Sequence, residues 1–250
     1  MHAEAIAEAG GIPVLLDLRS AQATEVAGRL KARYRLDPLV VEGDVTKRDS
    51  LDDACRQILA RHGKIDVLVN NAAIDSKVRA EGTVEGTRFE QFPLGRWEQE
   101  IAVGLTGAVL CAQVFGAEMV RRKSGVVVNI SSDLGLIAPD QRIYKKPGLR
   151  EDAQPVKPVT YSVIKHGLIG LTRYLATYWA DKGIRVNALA PGGVQTDQPE
   201  EFVKKLSSLI PLGRMARRDE YKGALVFLAS DASSYMTGTT LVVDGGRSCW

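Results

Sequence analysis

Six short apolar runs constrain this chain more than any other feature. They occupy 12–17 (IPVLLD), 38–44 (PLVVEGD), 65–70 (IDVLVN), 125–131 (GVVVNIS), 184–190 (IRVNALA) and 240–244 (TLVVD). They are rich in Val, Ile and Leu and show little polar alternation, the pattern of strands covered on both faces. Helix-length segments separate them: 20–35, 48–62, 95–123, 160–182 and 217–230. Ser20, Asp49 and Asp219 suit helix starts, and Gly63 and Gly183 suit helix stops. A short amphipathic helix opens the chain ahead of the first run. Strands alternating with helices predict a doubly wound α/β fold, with a mostly parallel sheet and helices on both faces. At 250 residues one domain is expected over 1–250. The stretch 134–160 breaks the rhythm with four prolines and many charges, and it reads as a long ordered loop.

Bulk properties narrow the function classes. A formal net charge of +3 with no basic block gives no support to nucleic-acid binding. No run of 18 or more apolar residues occurs, so no membrane span is expected. Residues 1–20 lack a secretory signal pattern. Cys55, Cys111 and Cys249 have no metal-type spacing and read as reduced thiols of a cytoplasmic protein. A small-molecule ligand remains the default partner.

In doubly wound sheets ligands bind beyond the carboxyl ends of the strands. Asp17 closes the first run. An acid there bonds adenosine ribose hydroxyls about 20 residues after a glycine-rich turn, and it repels a 2′-phosphate, favouring NAD over NADP. A solvated strand-end acid is an equal alternative for this residue alone. Counting back from Asp17 places the glycine turn, and a first strand, ahead of Met1. Such a strand belongs between IPVLLD and IDVLVN, and without it the NAD affinity is expected to be weak. Asp44-Val45 follows the second run, and Asn70-Asn71-Ala72-Ala73 the third. Small residues there let backbone approach a flat ligand, although each stretch also reads as an ordinary turn.

YSVIK puts Tyr161 and Lys165 at i and i+4 on one helix face. A phenol titrates near 10, and an adjacent ammonium favours the phenolate. Tyr161 is then able to exchange an alcohol proton while hydride moves to or from a nicotinamide. Ser132, at the carboxyl edge of the fourth run, is placed to hold the substrate oxygen. PGGVQT (191–196) follows the fifth run.

Together LLDLR, GDV, NNAA, NISS, YSVIK, RVNALAPGGVQT and SYMTGTTLVVDGG resemble the short-chain dehydrogenase/reductase family, in its order and over nearly the whole chain. The resemblance implies an oxidoreductase with Ser132, Tyr161 and Lys165 as catalytic residues. It implies cofactor contacts from Asp17, Asp44, Val45, Asn71, Ala72, Tyr161, Lys165, Pro191, Gly192, Val194 and Thr196. It also implies a homodimer or homotetramer built on the two long helices, with Gly167 and Gly170 permitting close approach. Three departures stand out. The family's glycine loop and first strand are absent from the sequence. Gly104 stands where the family has a catalytic Asn. Ser132 and Tyr161 lie 29 positions apart, so 134–160 carries an insertion. Arg142, Lys145, Lys146, Arg150 and Lys157 in that insertion suggest an anion such as a sugar phosphate, against a solvated loop of mixed charge. The same region resembles members associated with surface-sugar or flagellin-glycan synthesis. Residues 195–221 are expected to close over substrate. A non-enzymatic subunit of the same fold is the alternative, and an epimerase or dehydratase is a third.

Overall fold

A computed structural model describes residues 1–74 and 87–250. Every apolar run forms a strand: β1 (Val14–Asp17), β2 (Leu39–Glu42), β3 (Val67–Asn70), β4 (Gly125–Ile130), β5 (Ile184–Pro191) and β6 (Thr240–Val243). All pairings are parallel. β1 pairs with β2, Val14 opposite Leu39, as a two-stranded sheet. The other four form a second sheet in the order β3-β4-β5-β6, with Val67 opposite Val126 and Gly125 opposite Ile184. Among the described residues β1 and β3 have no pairing with each other.

Helices cover the strands: α1 (His2–Glu8), α2 (Ser20–Tyr34), α3 (Arg48–His62), α4 (Leu94–Ile101), α5 (Gly107–Arg122), α6 (Val159–Tyr178), α7 (Glu200–Ser207) and α8 (Lys222–Ala229). One π-helical turn, Ala102–Thr106, joins α4 to α5. The continuous run Leu94–Arg122 is long and apolar enough to cross a membrane by composition, its most apolar 18 residues having a mean hydropathy of 1.6. It meets that test because it is a core helix: Cys111, Ala112, Phe115 and Met119 are buried against the sheet. Gly63 and Gly183 end helical segments with φ of 71° and 69°. At Gly183 a Cβ would lie 2.3 Å from the Lys123 carbonyl oxygen, so glycine is required. Ser20 does not cap α2. Its hydroxyl donates to Glu42 Oε2 at 2.6 Å, tying α2 to β2 instead.

The neighbouring residues Val127 and Val128 of β4 explain the uniform apolar pattern. Both are fully buried, yet they enter different clusters. Val127 packs with Leu51, Phe115, Met119, Trp179 and Val186, and Val128 with Ala5, Leu189, Leu225 and Leu228. Side chains alternate faces along a strand, and here both faces are covered. One polar residue interrupts this strand. Asn129 is fully buried, accepts from Asn70 Nδ2 at 2.8 Å and donates to Thr172 Oγ1 at 2.8 Å. It thereby joins β3, β4 and α6 at one height. Asn129→Ala strands the Asn70 amide and is expected to cost about 2–3 kcal/mol, lowering Tm by about 5–10 °C. Thermal unfolding followed by circular dichroism tests this, and an unchanged Tm would mean the network adds no stability.

Candidate active site

The end of β4 and the first turns of α6 meet through two hydrogen bonds. Lys165 Nζ donates to the Ile130 carbonyl at 2.7 Å, and Ser131 Oγ donates to the Lys165 carbonyl at 2.8 Å. Gly135 makes this approach possible, because a Cβ there would lie 2.4 Å from Ser131 Oγ and 2.8 Å from the Lys165 carbonyl. Lys165 is buried, and its ammonium lies 5.6 Å from the centroid of the half-buried Tyr161 ring. Ser132 follows directly. Its hydroxyl donates to Asp133 Oδ1 at 2.7 Å and accepts from the Leu134 amide at 3.2 Å. Asp133 Oδ2 in turn accepts from Arg247 Nη1 at 2.8 Å, and both side chains are buried. Ser132, Tyr161 and Lys165 are thus gathered around one strand end.

The cofactor candidates lie at or beyond the carboxyl ends of β1, β2, β3 and β5. Asp17 is exposed at the end of β1, and its Oδ1 accepts from the Arg19 amide at 2.8 Å. The Asp44 carboxylate is turned into its own loop, accepting from the Thr46 amide and hydroxyl, and these bonds hold its pKa below the usual range. Val45 packs on Gly107, where a Cβ would come within 2.9 Å of Val45 Cγ2. Asn71 and Ala72 are exposed just past β3. The imidazole of His2, on α1, is held below its usual pKa, first by burial and then by the neighbouring amino terminus. Pro191 ends β5. Gly192 lies against Asp244 and its carbonyl accepts from Tyr221 at 2.9 Å. Val194 bridges to Ala216, and Thr196 Oγ1 donates to Asp197 at 2.8 Å. The exposed carboxylate of Asp17 and the buried ammonium of Lys165 supply the acceptor and the donor, respectively, that ribose hydroxyls require, so these residues fit a dinucleotide.

The insertion is ordered by its own contacts. Gln154 is buried and bonds the Lys146 amide and the Lys146 and Leu149 carbonyls. Ile143 joins Leu206, Ile210 and Met215 in a small core with α7, so the insertion and the 195–221 segment pack together. Three of the five cations expected to meet an anion are ion-paired with nearby acids. Arg142 is committed to Asp140, which it holds down to about 2, Lys145 to Glu151, and Arg150 to Asp152. Lys157 instead lies over the Tyr161 ring, 3.7 Å from its centroid. Local acids two to six positions away neutralise three of these five cations. Gly167 is also used within the chain, against Leu105, whereas Gly170 faces open space.

Comparison with known proteins agrees with this architecture. A short chain dehydrogenase family model matches residues 1–144, and an enoyl-(acyl carrier protein) reductase model matches 150–248. The chain is 34% identical to the 3-oxoacyl-[acyl-carrier-protein] reductase FabG of Thermotoga maritima, over 95% of this chain and 94% of that enzyme. It is 31% identical to the NAD-dependent glycerol dehydrogenase of Listeria innocua, over 98% of this chain and 87% of that one. The crystal structure of a gluconate 5-dehydrogenase from Burkholderia cenocepacia, in complex with NADP and tartrate, superposes with a TM-score of 0.81 at 29% identity, covering 99% of this chain and 89% of that one. The fold and site define a Rossmann-like oxidoreductase that works with a nicotinamide cofactor. The chain belongs to the short-chain dehydrogenase/reductase family.

Gly104, at the family's Asn position, sits in the π-helical turn before α5. A Cβ there would lie 2.9 Å from Ile164 Cγ2, and Ile164 is buried. Ile164 therefore fills the space that a longer residue at 104 would need. Gly104→Asn alone is expected to overpack the site and destabilise by about 1–3 kcal/mol. Gly104→Asn with Ile164→Ser should recover most of that loss. Chemical denaturation of the two variants checks the coupling, and purely additive effects would disprove it.

Proposed function

We propose that this protein transfers hydride between NAD(H) and a neutral polyhydroxy alcohol or its ketone, with Tyr161 as the acid/base. The observation that carries this reading is the double hydrogen bond between α6 and the end of β4, which sets Lys165 beside Tyr161 and Ser132 next in the chain. The bound nicotinamide supplies or accepts the hydride. Tyr161, as phenolate, takes the alcohol proton at its oxygen, and as phenol returns it to a ketone. Lys165 favours the phenolate and offers its remaining donors to the ribose. Ser132 turns its proton from Asp133 toward the substrate oxygen, while Arg247 keeps the Asp133 charge compensated.

Asp17 supports NAD over NADP, since its exposed carboxylate meets the place of a 2′-phosphate. The relatives named above include both cofactors, so a direct test is needed. A neutral sugar or polyol is favoured over a sugar phosphate because the insertion's cations are largely consumed by their own acids. The glycerol and gluconate dehydrogenases among the relatives act on polyhydroxy compounds. We propose a cytoplasmic homo-oligomer joined through α5 and α6, on which Gly170, Tyr174 and Tyr178 are exposed.

A panel of polyols, aldonic acids and sugar phosphates assayed with NAD and NADP tests the reading. Tyr161→Phe is expected to lower kcat by about 100- to 10,000-fold with cofactor affinity retained. Turnover unaffected by that change would remove Tyr161 from the chemistry. Asp17→Ser is expected to shift cofactor preference toward NADP by roughly tenfold, the scale of relieving one close like-charge contact. An unaltered ratio of kcat/KM values would rule out the ribose role.

A further inference from the structure

The contact between Lys157 and Tyr161 lies outside the Tyr161–Lys165 pair. The Lys157 ammonium is 3.7 Å from the ring centroid, closer than that of Lys165 at 5.6 Å. It is also deliberately held. The Lys157 amide donates to Gln141 Oε1 at 2.9 Å, and the preceding amide, of Val156, donates to Thr87 Oγ1 at 3.2 Å. Gln141 belongs to a 3-10 turn of the insertion, Gln141–Tyr144, whose Ile143 is anchored in the small core with α7. Pro158 then caps α6 with an extended backbone. The insertion thus delivers a cation to the ring one helical turn ahead of Tyr161.

We infer that Lys157 is a second cation that stabilises the ionised form of the Tyr161 phenol, acting through the ring face. The inference rests on Tyr161 being the acid/base. A phenolate spreads negative charge into its ring, so a cation over the face favours it more than the neutral phenol. The other charged groups around Tyr161 do not duplicate the effect. Lys165 lies one turn on, at the larger distance and donating to the Ile130 carbonyl. Asp133 beyond Ser132 is neutralised by Arg247. His2, on α1, is disfavoured as a cation by burial, by the amino terminus and by Lys165 itself. A wild-type chain therefore has a tyrosine flanked by two ammoniums where the family motif specifies one.

The test is a phenolate titration by ultraviolet difference spectroscopy of the free protein, with the Tyr161→Phe spectrum subtracted to isolate Tyr161. Lys157→Met is expected to raise that transition by about one pH unit. Lys157→Arg keeps the cation and should leave it in place. Alcohol oxidation needs the phenolate, so kcat/KM rises with pH through the same transition. Its acidic limb should move upward by the same amount in Lys157→Met. An unmoved phenolate transition in a folded Lys157→Met protein, with its circular dichroism unchanged, overturns the inference. If Tyr161→Phe retains turnover, the acid/base reading fails on its own, and the titration still decides whether Lys157 acts on the phenol.

Discussion

Lys165 and Ser131 exchange bonds across the top of β4, and the geometry of the site depends on that exchange. A buried ammonium must find acceptors, because leaving it unsolvated is costly. The Ile130 carbonyl at the strand end supplies one. The helix returns the constraint through its own carbonyl at residue 165, bonded by Ser131. Seven residues further along α6, on the same face, Thr172 receives a bond from Asn129 and donates back to the Leu168 carbonyl. The helix is therefore pinned to the strand at two heights, by polar contacts whose geometry is narrower than that of apolar packing. Tyr161 inherits its position from this arrangement, one turn before the upper pin.

Next to that lock stands a buried ion pair with a different role. Asp133 and Arg247 are each only a few per cent exposed. A buried pair of this kind adds little net stability, yet removing one member leaves an uncompensated charge. Its position matters more than its energy. Asp133 fixes the rotamer of the Ser132 hydroxyl, and Arg247 draws the chain's carboxyl-terminal turn in beneath it. Asp244 secures that turn by accepting from the amides of Gly246 and Ser248. Tyr221 is pushed to high pKa by burial and by the nearby Asp133, Glu220 and Asp244 carboxylates, so it stays a phenol and keeps its bond to the Gly192 carbonyl. Beside Ser132 there is thus a neutralised polar cluster drawn from four distant stretches of sequence.

These facts explain which parts of the site were legible in the sequence. Strand positions follow from apolar runs, and the end of α3 follows from the local chemistry of Gly63. Tyr161 and Lys165 are four apart on one helix, so their proximity is a local property. Asp133 and Arg247 are separated by 114 positions, and no spacing rule joins them. A signal did exist in the strands. Asn129 and Asn187 are polar residues inside otherwise apolar buried runs, and such residues are retained where a specific partner awaits them. Asn187 bonds the Met236 carbonyl and the Thr239 amide, fixing the approach to β6. The charges of the insertion misled for the opposite reason. Residue type announces a cation, but Asp140 two positions before Arg142 decides whether that cation is available. Gly104 reads as a loss until Ile164 is set against it.

The insertion itself makes physical sense as a cover rather than as an anion trap. Its polar side chains satisfy one another, and its apolar ones are directed to α7. Tyr144 meets Phe202 with ring centroids 5.6 Å apart, and Lys205 Nζ donates to the Lys145 carbonyl at 3.0 Å. Trp250 reaches the same layer, donating to the Leu209 carbonyl at 3.2 Å. Moving α7 away from the site without the insertion would expose Ile143, Leu206, Ile210 and Met215 together, whereas moving both preserves that small core. The two segments therefore pack as one unit. The same unit carries the Gln141 contact to the Lys157 backbone.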